Sequence, residues 1–202
     1  GQTGGVLSLN RSRVAHHQPP DSPVYIRCMA ETPDSSLWVG GRELRRFDGE
    51  AWSGPGGPGN LANQLVESAY TTKSGHLWLG TRVYGAFQHD GDVWHRHDTQ
   101  SGLADNRVLD FTELGDGSVL AATAKGVSRF DGTSWTTHTV PRTVPRSTSM
   151  SLRRSGDGHI WINYANESTF RTIRFRPEVD APETKLLVKP GTVPEGEEFA
   201  VV

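Results

Sequence analysis

An all-β fold made of four-stranded β-propeller blades is the structure that the sequence predicts. One observation is a recurring motif of a tight turn, an apolar strand, a second turn and a strand ending near Asp-Gly. Another is the even spacing of one position in this motif, which holds tryptophan in three copies and leucine in one: Trp38, Trp78, Leu120 and Trp161. Propeller blades repeat every ~40–50 residues, and the motif recurs at the short end of that range, so each copy predicts one blade.

A second tryptophan position supports the same period. It is filled by Trp52, Trp94 and Trp135, which are spaced almost as evenly as the first set. The 202 residues include 23 Gly and 12 Pro with 34% hydrophobic residues, a composition typical of short strands joined by tight turns.

The N-terminal residues 1–23 are predicted to form a partial blade. Residues 5–14 align with 126–135, which form the third and fourth strands of a later repeat. The chain therefore begins partway through a blade. Either it is a piece of a longer propeller, or these strands complete the last blade by ring closure.

Four repeats follow the partial blade. Blade A has predicted strands near 24–30, 36–40, 43–48 and 51–54, and the third strand of blade D is predicted near 170–175, after a longer loop. The predicted boundaries are 24–63 for blade A, 64–106 for blade B, 107–148 for blade C and 149–176 for blade D. The propeller region thus covers 1–176, and its size indicates an incomplete or small propeller.

The period stops at residue 176, and a second module is predicted after it. Residues 185–188 and 199–202 are predicted strands on either side of a Gly- and Pro-containing turn. We interpret 177–202 as a linker and the first strands of a truncated immunoglobulin-like module. A disordered tail is the alternative.

The turns and tryptophans of each repeat have structural explanations. Gly75, Gly117 and Gly158 supply the positive φ of the first hairpin, and Asp-Gly pairs at 48–49, 90–91 and 131–132 suit the next one. A large ring on the second strand can be buried between neighbouring blades. We therefore interpret the tryptophans as structural residues rather than sugar-stacking ones.

With these motifs identified, the repeat resembles that of the two-component regulator propeller family. Blade B carries Gly-His-Leu-Trp-Leu-Gly-Thr at 75–81 and Ser-Gly-Leu-Ala-Asp-Asn at 101–106, and blade C carries Gly-Val-Ser-Arg-Phe-Asp-Gly at 126–132. Blade D departs from the pattern, with Asn163-Tyr164 in place of Gly-Thr and no Asp-Gly. The resemblance covers about 5–176.

The resemblance implies a function for the chain. Members of this family are membrane-anchored bacterial sensors, in which the propeller region lies in the periplasm or outside the cell and an immunoglobulin-like module follows it. It implies a non-catalytic, ligand-binding segment, with a glycan fragment as the ligand. A protein-interaction or dimerisation scaffold without a small-molecule ligand is the alternative. Partners are then an oligosaccharide or other small ligand, and other propeller blades or a second copy of the chain.

Several other functions find no support in the sequence. The net charge of −2 gives no reason to expect a nucleic-acid partner, and no apolar run is long enough for a membrane segment within the chain. No nucleophile elbow, phosphate-binding glycine loop or zinc-ligand spacing is present, so no enzyme activity, cofactor or metal is expected. The lone Cys28 is interpreted as a buried apolar residue rather than a reactive thiol.

His95 and His97 lie on the same side of a predicted outer strand. Two imidazoles at this spacing could hold a metal ion, but the sequence offers no evident third ligand. An exposed face of the outer strand is the interpretation that we favour.

One set of polar residues is a candidate ligand site. A basic residue follows the second strand of blades A, B and C, in loops that share one end of a propeller with the connections from each fourth strand to the next blade. Arginine forks bind carboxylate or sulfate groups in a bidentate manner, so an acidic or polyhydroxylated ligand is the hypothesis. The candidate residues are Arg42, Arg82, Lys125, Tyr84, Asn63, Asn106 and Arg107. Ordinary solvated loop charges are the alternative.

Overall fold

The computed structural model describes residues 6–10, 13–17, 25–54, 58, 61, 64–138, 149–165 and 170–175. Every regular element in these ranges is a β-strand. The strands of the N-terminal hairpin and blade A are β1 (Val6–Asn10), β2 (Arg13–His17), β3 (Ile26–Glu31), β4 (Leu37–Gly41), β5 (Arg45–Phe47) and β6 (Trp52–Ser53). Blade B contains β7 (Val66–Thr71), β8 (Leu77–Thr81), β9 (Ala86–His89) and β10 (Trp94–His97). Blade C contains β11 (Val108–Glu113), β12 (Val119–Thr123), β13 (Gly126–Phe130) and β14 (Trp135–His138), and blade D contains β15 (Ser149–Arg154), β16 (Ile160–Ala165) and β17 (Phe170–Phe175).

Each blade is an antiparallel sheet whose strands pair in chain order. Blades A, B and C have four strands each, blade D has three in the described part of the chain, and β1 pairs with β2 in a separate hairpin. The prediction of all-β propeller blades is therefore confirmed. The predicted immunoglobulin-like module at 177–202 lies outside the described residues.

The blades stack face to face in chain order, with the first strand of each blade next to the first strand of the following one. The side chain at the repeat position filled by Trp38, Trp78 and Leu120 lies on the second strand and packs against the next blade. Trp38 meets Trp94 of blade B edge-on, with ring centroids 5.7 Å apart, and Leu120 packs in a cluster with Leu152 and Ile162 of blade D. Trp78, 1% exposed, packs against blade C. The predicted burial between blades is confirmed for Trp38 and Trp78, whereas Trp161 of blade D is half-buried. Each buried side chain at this position stabilises its interface by about 1.5–3 kcal/mol.

The turn between the first and second strands contains glycine in blades B, C and D but serine in blade A. Gly75, Gly117 and Gly158 have φ values of 91°, 86° and 88° between the first and second strands. Blade A has Ser35 at this place, with φ 63°, a left-handed conformation that costs a non-glycine residue energy. The Asp34 carboxylate accepts hydrogen bonds from the Ser36 amide (3.2 Å) and hydroxyl (2.9 Å), and these bonds hold the turn.

A bulge at the start of the first strand positions the candidate site. The pairing of first and second strands shifts between Ile26 and Cys28, between Val66 and Ser68, and between Val108 and Asp110. The extra residue of each bulge falls at one repeat position, which holds Arg27, Glu67 and Leu109 in blades A, B and C. Bulges redirect side chains at the rim of a sheet, so these three residues occupy equivalent places at the same end of the blades.

Candidate functional site

We call the end of the blades where the first strands begin the loop rim, and define it by residues 25–27, 42–44, 64–67, 82–85, 104–107 and 124–125. Backbone hydrogen bonds hold its two sets of loops together. The Arg82 amide donates to the Leu65 carbonyl (3.1 Å), and the Ala124 amide donates to the Arg107 carbonyl (3.0 Å). The loops after the second strands therefore lie beside the starts of the first strands.

Three of the predicted cations, Arg42, Arg82 and Lys125, are exposed on this rim. Within the described ranges, neither Arg42 nor Arg82 forms an ion pair. Lys125 is different, because its Nζ lies 2.9 Å from Asp105 Oδ2. The three cations are thus not equivalent, and Lys125 already has a carboxylate partner.

Tyr84 and Asn106 have mainly structural contacts. The Tyr84 amide donates to Thr81 Oγ1 (2.9 Å), and its ring lies 5.6 Å from the Arg96 guanidinium. Asn106 Oδ1 accepts a hydrogen bond from the Thr99 amide (2.9 Å), which fixes the connection from blade B to blade C. Asn63, the remaining amide of the predicted set, lies outside the described residues.

Arg107 takes part in an ion-pair chain that crosses three blades. Its Nε and Nη2 donate to the two carboxylate oxygens of Glu67 at 3.0 and 3.2 Å. This is the bidentate arrangement that guanidinium and carboxylate groups favour. Arg27 Nη1 lies 4.0 Å from the same carboxylate, whose side chain is 3% exposed. Glu67 therefore links blades A, B and C at the inner edge of the rim.

Tyr25, Arg27 and Glu67 are rim residues that the sequence analysis did not select. Tyr25 is 59% exposed, and the Arg27 guanidinium lies 5.8 Å from the centre of its ring. The first strands at 24–30 and 66–71 read as inner strands of a propeller, so no residue on them was selected as a ligand-binding candidate. Aligning the repeats at the first strand would have placed Arg27 and Glu67 at one position and indicated contact between adjacent blades.

His97 differs from the sequence interpretation of an exposed outer strand. His95 is exposed and lies 3.2 Å from Asp90, but His97 stacks on Trp78 with ring centroids 5.2 Å apart. Its Nδ1 accepts a hydrogen bond from Trp135 Nε1 (3.1 Å), and burial lowers the pKa of His97 to about 4. The imidazole is held neutral because a ring of blade C covers it, and this contact is not visible in the local sequence.

The thiol and the imidazoles offer little reactive chemistry. Cys28 is partly buried beside Gly40, and burial raises the pKa of its thiol to about 12, so it is protonated at neutral pH. Across the described ranges no group of three or more His, Cys, Asp or Glu side chains could hold a metal ion. The same ranges contain no helix with the length and apolarity needed to cross a bilayer.

The fold is shared with solved propellers of low sequence identity. The extracellular domain of the hybrid two component system BT3049 from B. thetaiotaomicron superposes with a TM-score of 0.64 at 18% identity, covering 90% of this chain and 27% of that domain. PorZ, a surface component of the type-IX secretion system of Porphyromonas gingivalis, gives 0.60 at 15% identity, with coverages of 89% and 29%. Virginiamycin B lyase from Staphylococcus aureus gives 0.61 at 10% identity, with coverages of 84% and 62%.

These similarities establish a β-propeller fold. The chain spans about a quarter of the length of the BT3049 extracellular domain. No protein-family model and no curated protein matches the sequence. Because the matched structures include both an extracellular domain of a two component system and a lyase, function has to be argued from the rim and its chemistry.

Proposed function

We propose that this chain is a non-catalytic, ligand-binding propeller segment from the extracytoplasmic part of a bacterial signal-transduction protein, and that its ligand is a glycan. The similarity of 90% of the chain to the extracellular domain of a hybrid two component system carries this proposal. The repeat motifs at 75–81 and 126–132 support it independently, because they resemble those of two-component regulator propellers.

The chemistry of the rim supports binding rather than catalysis. In the described part of the chain, the carboxylates near the rim are engaged: Glu67 binds Arg107, Asp105 binds Lys125, and Asp110 accepts the Leu152 amide (2.8 Å). Glu43 likewise pairs with Arg45. A general acid or base needs a proton-transfer group that faces the substrate. Exposed arginines and an exposed aromatic ring are suited instead to holding a polar ligand.

A scaffold function is the second candidate, and one observation favours it. Met29 on the first strand of blade A is 60% exposed, and Tyr25 is 59% exposed. Large apolar side chains exposed near each other are typical of protein–protein contact surfaces. Sedimentation velocity tests this candidate: a dimer that persists at micromolar concentration and loses stability in a Met29→Glu variant favours the scaffold, and a monomer contradicts it.

Two experiments test the sensor function. Sequencing the coding region on both sides should reveal further propeller repeats, an immunoglobulin-like module, a membrane helix and a signalling domain. Stop codons close to both ends would contradict the proposal.

Titration calorimetry of the chain against a panel of neutral, acidic and sulfated oligosaccharides should then show saturable binding of at least one of them. The absence of binding across the whole panel counts against a glycan ligand.

A further inference from the structure

The inner edge of the loop rim carries an arginine that donates no hydrogen bond to any residue in the described ranges. Arg27 has a 36% exposed side chain, and it lies 4.0 Å from Glu67, beyond hydrogen-bonding distance. Its contacts in the described ranges are this long ion pair and the Tyr25 ring. A guanidinium has five N–H donors in a rigid planar fork. As far as the described residues go, the fork of Arg27 is therefore open to a planar anion.

The charge at this edge is not balanced. Arg107 occupies both oxygens of Glu67, at 3.0 and 3.2 Å, so this carboxylate is neutralised before Arg27 is considered. Asp105 and Lys125 form a second neutral pair at 2.9 Å. Glu43, the remaining rim carboxylate among the described residues, pairs with Arg45. Counted over those residues, one positive charge remains on Arg27, and the exposed Arg42 and Arg82 add two more on the same rim.

An aromatic surface stands beside this charge. Tyr25 is 59% exposed, and its position is fixed at the start of β3, where its carbonyl carbon and oxygen lie against Gly41. A Cβ at Gly41 would collide with the Tyr25 carbonyl oxygen, so the glycine permits this close approach. A flat ring beside a planar cation suits a ligand with both an apolar face and a carboxylate.

We propose that Tyr25 and Arg27, positioned by Glu67 and Arg107, form a subsite for a carboxylate-bearing sugar. This inference rests on the proposed sensing function and narrows its ligand class to acidic oligosaccharides. Arg27 forms paired hydrogen bonds with the carboxylate, and the Tyr25 ring packs on the apolar face of the same sugar. Glu67 lies 4.0 Å from Arg27 and holds its guanidinium at the rim, while the short hydrogen bonds of Glu67 go to Arg107 and leave the donors of Arg27 to the ligand.

The test compares tetragalacturonate with its full methyl ester by titration calorimetry of the intact chain. The two ligands share every ring and differ in charge, so the acid should bind more tightly than the ester. Arg27→Gln should weaken acid binding by roughly ten- to a hundredfold and abolish the preference over the ester. Arg27→Lys keeps the charge without the fork and should fall between the two proteins.

Two further variants make the test specific. Tyr25→Ala should weaken binding of acid and ester alike, because the ring contacts the sugar face. Arg154→Gln is the matched control, since it removes an exposed arginine at the opposite end of a first strand and should leave binding unchanged. Circular dichroism and thermal melting confirm that each variant folds.

Two outcomes would overturn the subsite while leaving the sensing function standing. One is equal affinity for acid and ester, and the other is acid binding that survives Arg27→Gln unchanged. Failure of the folded chain to bind either tetrasaccharide also overturns it. In that case the wider oligosaccharide panel still decides whether the chain binds another glycan.

Discussion

Different side chains fill the space between adjacent blades at the B–C interface, between blades B and C, and at the C–D interface, between blades C and D. At B–C, aromatic rings surround the second-strand tryptophan at centroid distances between 5.2 and 5.8 Å; they are His97, Phe111, Phe130 and Trp135. At C–D, the same position holds Leu120, and its cluster is purely aliphatic apart from Met150. The repeat therefore fixes the spacing of the blades, and the side chains that fill the gap are free to vary.

The polar contacts across the two interfaces differ as well. B–C uses a neutral imidazole, with Trp135 Nε1 donating to His97 Nδ1 and His97 Nε2 3.2 Å from Gln88 Oε1. C–D uses a carboxylate, because Asp110 accepts the Leu152 amide at 2.8 Å and pairs with Arg153 at 3.1 Å. Burial raises the pKa of Asp110, so its ionised form depends on these partners.

Removing the large side chain should distinguish the interfaces most strongly. Trp78→Ala should lower the free energy of unfolding by about 3–5 kcal/mol, because it leaves a cavity among the surrounding rings. Leu120→Ala should cost about 2–3 kcal/mol, since it deletes fewer buried atoms. Urea denaturation measures both values. Equal losses would mean that the aromatic cluster contributes nothing beyond an aliphatic one.

Trp78→Phe is a control for the first comparison. The Trp78 indole nitrogen is buried and has no hydrogen-bond acceptor in the described part of the chain. Phenylalanine keeps a ring and removes this unpaired donor. Its cost should therefore fall well below that of alanine.

The carboxylate at C–D should have the next largest effect. Asp110→Ala should destabilise the protein by about 1–3 kcal/mol, because it leaves the Leu152 amide without its acceptor. Asp131→Ala is a control on an exposed turn and should cost less, since water can replace its hydrogen bonds. A loss at Asp110 no larger than at Asp131 would show that the bond between blades adds no stability.

Acid should affect the B–C interface through His97. The pKa of His97 is lowered to about 4 in the folded protein, below its ordinary value of 6.5, so the unfolded chain binds more protons between these two values. The contribution of His97 to stability is therefore complete above pH 6.5 and is lost as the pH falls toward 4. His97→Gln should reduce this dependence, and urea midpoints between pH 4 and pH 7 measure it.

Trp135→Phe refines the acid test and should have the smallest effect. It removes the indole donor to His97 and should cost about 1 kcal/mol at pH 7. His159→Gln is the matched control, because that imidazole pairs with Asp157 in blade D, away from the B–C interface. A pH dependence that changes as much in His159→Gln as in His97→Gln would contradict the assignment.

The blade pattern was predictable because its signals are local. The Asp-Gly turns and the Leu-Trp strands lie within single repeats and recur at an even spacing, and the observed strands follow them closely. The burial of Trp38 and Trp78 followed from the same repetition. Ser35 was harder to predict, because a positive φ without glycine depends on hydrogen bonds to the neighbouring Asp34 side chain.

The site was less predictable, because its contacts join different repeats. Nothing near Lys125 in sequence indicates that Asp105 neutralises it, and Glu67 meets Arg107 across 40 residues. His97 is buried by Trp135, 38 residues further along the chain. The sequence located the loops that form the rim, and the pairing of charges there required the positions of adjacent blades.

Many hydrogen bonds between blades share one feature, which is that each joins residues separated by 38 to 43 positions. Such a separation is close to one repeat, so each bond connects a blade to its immediate neighbour in sequence. Contacts limited to nearest neighbours make stability approximately a sum over adjacent pairs. Recombination within the gene can then add or delete a whole repeat without coordinated substitutions at distant positions, and propellers of different blade number become accessible from one sequence pattern.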